Sequence, residues 1–292
     1  MKNKYKCVTE FTNFWKQVVS SGEMPSRCMG VTSVQYDEFA REINEGNVDY
    51  FASLAEKLKL GHVLILKEAL SKNTTEKIKS ETVTFWNSQP SEFFQMLEDC
   101  PNFHRVIDEE TSKKYSVSAV KHSAYVFPWN DDFLGVRNDI NDCWRVIKKF
   151  SGLSPLIYEE NTPKTGVVDR IQVCLYPPRA GVLETHTDPF HNQLTFISGY
   201  LSTRGEKGGY TEGGFYVIGA NGETLDIEPF VQEGDMAIGL ATIQHGVLQV
   251  DPSYSGPIDW YGSRGRWFLG LYSNDSDEVS KRKTASAIKE SS

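Results

Sequence analysis

From about residue 166 onward the chain reads as a succession of short strands, and this stretch limits the possible folds more than any other. Residues 167–176 are β-like, and Pro177-Pro178 stops them. Strand-like runs follow at 194–201, 214–219, 224–227, 236–242, 247–250 and 266–272. Gly208-Gly209, Asn221-Gly222 and Glu233-Gly234-Asp235 supply turns between them. Many short strands with such turns specify a sandwich or barrel, and their number fits a double-sheet jelly roll.

The first half has a different texture. Residues 8–20 and 35–59 carry helical spacing, with Phe39, Ile43, Phe51, Leu54 and Leu58 on one face. Gly61 leads into a short buried strand, 62–67. Residues 74–86 read as a helix with Asn73 or Thr75 as its cap, and 134–151 as another, ended by Gly152 and Pro155. The expected organisation is a helical or mixed N-terminal region (1–165), a mainly β core (166–274) with flanking α-helices, and a polar tail or surface helix (275–292).

Composition excludes several classes of function. The 292 residues carry a net charge of -8 and no basic stripe, which argues against a nucleic-acid partner. No apolar run is long enough to span a membrane. The basic start, Met1-Lys2-Asn3-Lys4-Tyr5-Lys6, is followed by Glu10 and Lys16, so no secretory leader is expected. The five cysteines are scattered, odd in number and without a CxxC pair. They indicate neither a disulfide framework nor a zinc site, and a reducing cytoplasm is the expected home.

Within the β-rich half stands His186-Thr187-Asp188, with His245 downstream. Residues i and i+2 of a strand share a face, so His186 and Asp188 can reach one ion, and His245 can complete the set from another strand. Two imidazoles and one carboxylate suit a divalent iron held on one side, with its remaining positions open. An HxD tripeptide alone is weak evidence, so its context matters.

Tyr176-Pro177-Pro178 ends a strand ten residues before His186. Tyr200-Leu201-Ser202, Gly213-Gly214-Phe215, Glu228-Pro229 and Glu233-Gly234-Asp235-Met236 then lead to His245-Gly246-Val247, and Gly265-Arg266-Trp267-Phe268-Leu269 opens the last strand. Over residues 166–274 this order resembles the iron(II)/2-oxoglutarate-dependent dioxygenases, in particular their prolyl-hydroxylase-like branch. The resemblance implies a double-stranded β-helix of the cupin kind with Fe(II), 2-oxoglutarate and O2 as cofactor and co-substrates. His186, Asp188 and His245 would be the metal ligands and the catalytic centre. Arg266 would hold the far carboxylate of 2-oxoglutarate, with Arg264 as the rival on the same strand parity. Tyr176 would bond the metal-bound end of the co-substrate. Tyr200, or Thr195 in a shifted register, would bond its far end, unless the tyrosines are only core aromatics.

The reaction so implied couples oxidative decarboxylation of 2-oxoglutarate to oxidation of a C–H bond, by hydroxylation, desaturation or ring closure. Relatives that halogenate have a small residue in place of Asp188, so chlorination is not expected. The expected substrate is a small molecule such as an amino acid or natural-product intermediate. A peptidyl hydroxylase and a non-catalytic cupin-like binding or sensing module are the alternatives. His191, behind the HxD turn, either touches substrate or is a loop histidine. The aromatic segment 125–132 either lines a substrate pocket or is core and turn. The 21-residue link from His245 to Arg266 requires an excursion over 251–263, which could shape the pocket mouth.

Overall fold

The computed structural model describes residues 6–205, 209–262 and 264–288. Residues 1–5 of the basic start, Gly208, Ser263 and residues 289–292 of the tail lie outside the described residues. The first half runs α1 (Thr9–Ser21), β1 (Gly30–Gln35), α2 (Tyr36–Glu45), α3 (Val48–Lys59), β2 (His62–Lys67), α4 (Lys72–Ser88), β3 (Phe103–Ile107), α5 (Glu109–Ser112), β4 (Ala119–Val126) and α6 (Arg137–Phe150). The second half is β5 (Val167–Tyr176), β6 (Val182–Thr187), β7 (Thr195–Tyr200), β8 (Thr203–Arg204), β9 (Gly209–Tyr210), β10 (Gly214–Ile218), β11 (Thr224–Asp226), β12 (Met236–Leu240), β13 (His245–Leu248), β14 (Arg266–Asp275) and β15 (Ser286–Ala287).

Among the described residues, thirteen strands form one curled sheet in the order β1-β2-β12-β7-β14-β5-β4-β6-β13-β10-β11, with β3 on β4 and β15 on β6. Strand β4 turns the corner. Its residues 122–126 pair with β5, while Ala119 and Val120 pair with β6. The two arms face each other as a jelly roll, and the core is mainly β as expected. Alternation then sorts the side chains. On β5 and β14 the residues Val173, Leu175, Trp267, Leu269 and Leu271 face outward and are buried. Trp86 of α4 stacks over Trp267 and His122 at centroid distances of 5.2 and 3.6 Å. The inward residues pair in register, Arg266 opposite Tyr176, Phe268 opposite Cys174 and Tyr272 opposite Arg170.

The helices form from the spacing of their apolar residues. α1 buries Phe11, Trp15 and Val18, and Phe11 stacks on Phe51 of α3 at 3.9 Å. The span 35–59 is two helices, because Gly46 takes a left-handed φ of 78° and the Asn47 side chain caps α3 at Tyr50 N. Ser71, not Asn73 or Thr75, caps α4. The first half is also richer in strands than its pattern suggests, since β1, β3 and β4 join β2 in the same sheet. The tail differs from expectation too. Ser286 and Ala287 pair with Thr187 and His186 of β6, so part of it is an edge strand beside the HxD turn.

Lys148 of α6 makes a buried ion pair with Asp169 at the start of β5. Lys148 Nζ also donates to Ile157 O at 2.7 Å, and Ser273 Oγ donates to Asp169 at 2.7 Å. This network ties the helical layer to the barrel. No helix among the described residues is long and apolar enough to cross a membrane.

Candidate active site

His186 and His245 are direct cross-strand partners on β6 and β13. Asp188 follows the end of β6, and its backbone N–H donates to Ala241 O at 3.0 Å, which fixes the turn. One ligand atom from each of the three side chains lies within 4.8 Å of the others. His186 Nε2 is 3.7 Å from Asp188 Oδ1, and His245 Nε2 is 3.7 Å from Asp188 Oδ2.

The imidazoles are oriented from behind. His186 Nδ1 donates to Glu184 O at 2.9 Å, and His245 Nδ1 donates to Ile243 O at 2.8 Å. A carbonyl only accepts, so Nδ1 carries the proton in both rings and Nε2 presents a lone pair to the centre. Burial, with the neighbouring His186 adding to it, pushes the His245 pKa down to about 4. That imidazole is neutral at pH 7, the form that binds metal. Two imidazole nitrogens and a carboxylate converging on one point fit a divalent iron with open positions.

These side chains open onto a cavity of about 300 Å³. Arg266 also lines it and is 1% exposed. Its Nε donates to Glu228 at 2.7 Å, and Glu228 also accepts from Phe215 N at 2.6 Å and Tyr210 Oη at 2.5 Å. Burial works against the guanidinium charge, but the Glu228 carboxylate raises the Arg266 pKa above its ordinary value. Rings of Tyr176, Tyr200, Phe215 and Phe268 surround the guanidinium at 5.3–5.9 Å. Gly265, at φ 127°, permits this entry, since a Cβ there would stand 2.5 Å from Tyr176 O.

The free edge of Arg266 defines what fits. Nη1 and Nη2 are buried and make no hydrogen bond of good geometry, and neither do Tyr200 Oη, Ser198 Oγ and Thr195 Oγ1, although the Tyr200 hydroxyl lies beside both Ser198 and the guanidinium. Buried donors of this kind call for an acceptor. A carboxylate matches a guanidinium edge with two parallel N–H groups. Tyr176 is 1% exposed and lines the cavity, opposite Arg266 in register. Arg264 lies elsewhere, with its side chain 55% exposed, 3.9 Å from Asp251 and over the Tyr254 ring.

Other residues divide clearly. His191 bonds Asp275 at 3.0 Å and does not line the cavity. Tyr125 lines the cavity, while Phe127 and Trp129 pack in a separate small core. The described part of the 251–263 excursion does not line the cavity. Instead Trp260 O accepts from His122 Nδ1, and Tyr261 packs on Trp86, both on the outer face. Sequence reasoning missed Glu228 as the partner of Arg266, and Ser198, Lys121 and Arg170 as cavity residues. It also missed Arg282, Thr284 and Ala285 of the tail at the cavity wall.

No family model and no curated protein matches the chain. Solved structures do. A C-terminally truncated protein of Neurospora crassa, in apo form, aligns with 83% of this chain and 94% of its own at 13% identity and a TM-score of 0.52. A prolyl hydroxylase from Trichoplax adhaerens, in complex with a hypoxia inducible factor oxygen degradation domain peptide fragment, aligns with 80% of this chain and 92% of its own at 12% identity and a TM-score of 0.51. An oxidoreductase of the 2OG-Fe(II) oxygenase family from Burkholderia pseudomallei aligns with 77% of this chain and 87% of its own at 13% identity and a TM-score of 0.43. At such identities the likeness carries the fold.

Proposed function

We propose that this chain is an iron(II)- and 2-oxoglutarate-dependent oxygenase that oxidises a C–H bond of a small molecule. The observation that carries the reading is one cavity with two complementary sets of groups. His186, Asp188 and His245 converge on its wall, and Arg266, whose Nη1 and Nη2 make no hydrogen bond of good geometry, lines the same cavity. A metal that chelates the keto-acid end of 2-oxoglutarate and a guanidinium that takes its far carboxylate would use both. The jelly-roll likeness to the Trichoplax prolyl hydroxylase supports this assignment. The proposed compartment is a reducing cytoplasm, in keeping with five cysteines that form no disulfide.

When bound, the iron supplies oxygen activation coupled to decarboxylation of 2-oxoglutarate to succinate. The chain's own residues do the rest. Glu184 O and Ile243 O keep each Nε2 aimed at the metal. Glu228 holds Arg266 in one orientation, so little ordering is left for the co-substrate to bring about. Tyr200 and Ser198 would add hydroxyls beside that carboxylate, and Tyr176 lines the cavity opposite Arg266 in register. Phe196, Phe215 and Phe268 keep the chamber apolar, which limits water around the reacting C–H bond.

Asp188 would hold the iron at the position that a halide would need, so the expected product is heavier by one oxygen or lighter by two hydrogens. Incubation with Fe(II), oxygen and 2-oxoglutarate should form succinate, and His186→Ala should abolish it while leaving the fold intact. Succinate formation that persists in His186→Ala, or a chlorinated main product when chloride and the true substrate are present, would sink the proposal.

A further inference from the structure

The cavity carries more positive charge than iron and 2-oxoglutarate can match. Its cations are Lys121, Arg170, Arg266 and Arg282. Arg266 has Glu228, and Arg282 has Asp277. With a divalent iron in place, Asp188 and the co-substrate's inner carboxylate balance the metal, and its outer carboxylate joins Glu228 at Arg266, so the whole set keeps one net positive charge. Lys121 and Arg170 remain, and neither has an ion pair among the described residues.

Both are built into the wall. Lys121 lies on β4 and lines the cavity, with its Nζ 5.9 Å from the Tyr176 ring; Cys174, Tyr125 and Tyr272 are the other titratable groups that act on it most. Tyrosine and cysteine side chains are neutral at pH 7, so none of them offsets the ammonium. Arg170 is held between two rings, 5.4 Å from Tyr125 and 5.0 Å from Tyr272. Its Nη2 donates to Gln172 Oε1 at 3.1 Å, and its Nε is buried without a partner. Burial pulls the Arg170 pKa below its ordinary value, as expected of a cation without a counter-charge. Tyr125, Tyr272, Lys121 and Arg170 line the same cavity as Asp188, so this wall shares the chamber of the metal site. Both side chains are half-buried, and two unpaired cations in a small chamber are costly to keep unless a ligand anion pairs with them.

We propose that the primary substrate is a small acid whose carboxylate binds Lys121 and Arg170, with Tyr125 and Tyr272 packing against its body. The proposal rests on the oxygenase reading of the same cavity and adds the substrate's charge to it. Two cations without an ion pair, in a site with one net positive charge, select a single carboxylate over a neutral or cationic analogue, because a charged pair is strengthened away from bulk water. The cavity, at about 300 Å³, sits at the lower end of the range for ligand pockets. It must also hold the co-substrate, which favours a small molecule over an extended peptide.

The test uses full-length protein with and without Zn(II) and 2-oxoglutarate, with zinc as the redox-inert stand-in. The probes are the free L-amino acids, simple aliphatic and aromatic carboxylic acids, and their primary amides. Binding is read by ligand-detected NMR at about 5 mM, where even a Kd of order 1 mM registers. Acids should bind and their amides should not. Lys121→Met and Arg170→Gln should each weaken acid binding about tenfold or more, with Zn(II) and 2-oxoglutarate affinities unchanged. Each variant should also melt slightly higher than wild type, since a half-buried charge without a counter-charge has gone. Equal binding of acids and amides, equal binding to the variants, or no binding by any acid would overturn the inference. A tenfold loss of 2-oxoglutarate affinity in Lys121→Met would give that ammonium to the co-substrate and overturn its part. If acids bind through Lys121 and Arg170 but neither Zn(II) nor 2-oxoglutarate binds, the anion subsite stands and the oxygenase reading falls.

Discussion

Arg266→Lys separates the anchoring of 2-oxoglutarate from the stability of the fold. The wild-type guanidinium has divided labour. Nε serves Glu228, and Nη1 and Nη2 are free for a ligand. Lysine keeps the charge beside the buried Glu228 carboxylate, so no carboxylate is left stranded. Its single ammonium cannot reproduce an edge of two parallel donors. A charge-assisted hydrogen bond contributes about 1.5–3 kcal/mol, and at least one of the two to the co-substrate is lost. The Kd for 2-oxoglutarate should therefore rise roughly 10- to 150-fold. Calorimetric titration of 2-oxoglutarate into Mn(II)-loaded protein measures this without turnover, with Mn(II) affinity as the control. A Kd within twofold of wild type would refute the reasoning. So would the same loss in Arg264→Ala, whose side chain is 55% exposed.

Two further expectations concern the scaffold. Asp169→Ala strands Lys148 inside the protein and should cost about 3–5 kcal/mol in urea denaturation; a loss below about 1 kcal/mol would mean the pair carries little. Acid sensitivity should come partly from His122, whose pKa burial and the adjacent His104 push down to about 3. Between about pH 6.5 and 3 the unfolded chain protonates this histidine and the folded chain does not, so stability falls as pH falls. The slope approaches about 1.4 kcal/mol per pH unit for this group. In metal-free protein His245 adds to it down to about pH 4. Denaturation midpoints measured from pH 7 to 4.5 should show a shallower slope in His122→Gln, and an unchanged slope would contradict the assignment.

The metal set and the barrel were legible because their chemistry is local. His186 and Asp188 share a tripeptide, His245 stands among strand residues, and the glycine-rich turns mark the strand ends. β4 was not legible. Its sequence, Ala119-Val120-Lys121-His122-Ser123-Ala124-Tyr125-Val126, puts a charge and an imidazole mid-strand, which reads as a surface segment. In the fold His122 is sealed under Trp86 on one face and Lys121 faces the cavity on the other. Arg170 was hidden for the same reason, since a cation in a strand declares no side until its neighbours are known. Glu228 could be paired with Arg266 only through the fold, across 38 residues of chain. β15 carries little apolar pattern because backbone pairing along the free edge of β6 positions it.

The central claim is that His186, Asp188 and His245 together hold one iron. Anaerobic equilibrium dialysis of metal-free protein against Fe(II), followed by metal analysis, tests it directly. The expected result is one Fe(II) per chain, lost in His186→Ala, Asp188→Ala and His245→Ala, each of which keeps the wild-type far-ultraviolet dichroism. Absence of stoichiometric iron in the wild type, or its retention when any one of the three is removed, would contradict the account.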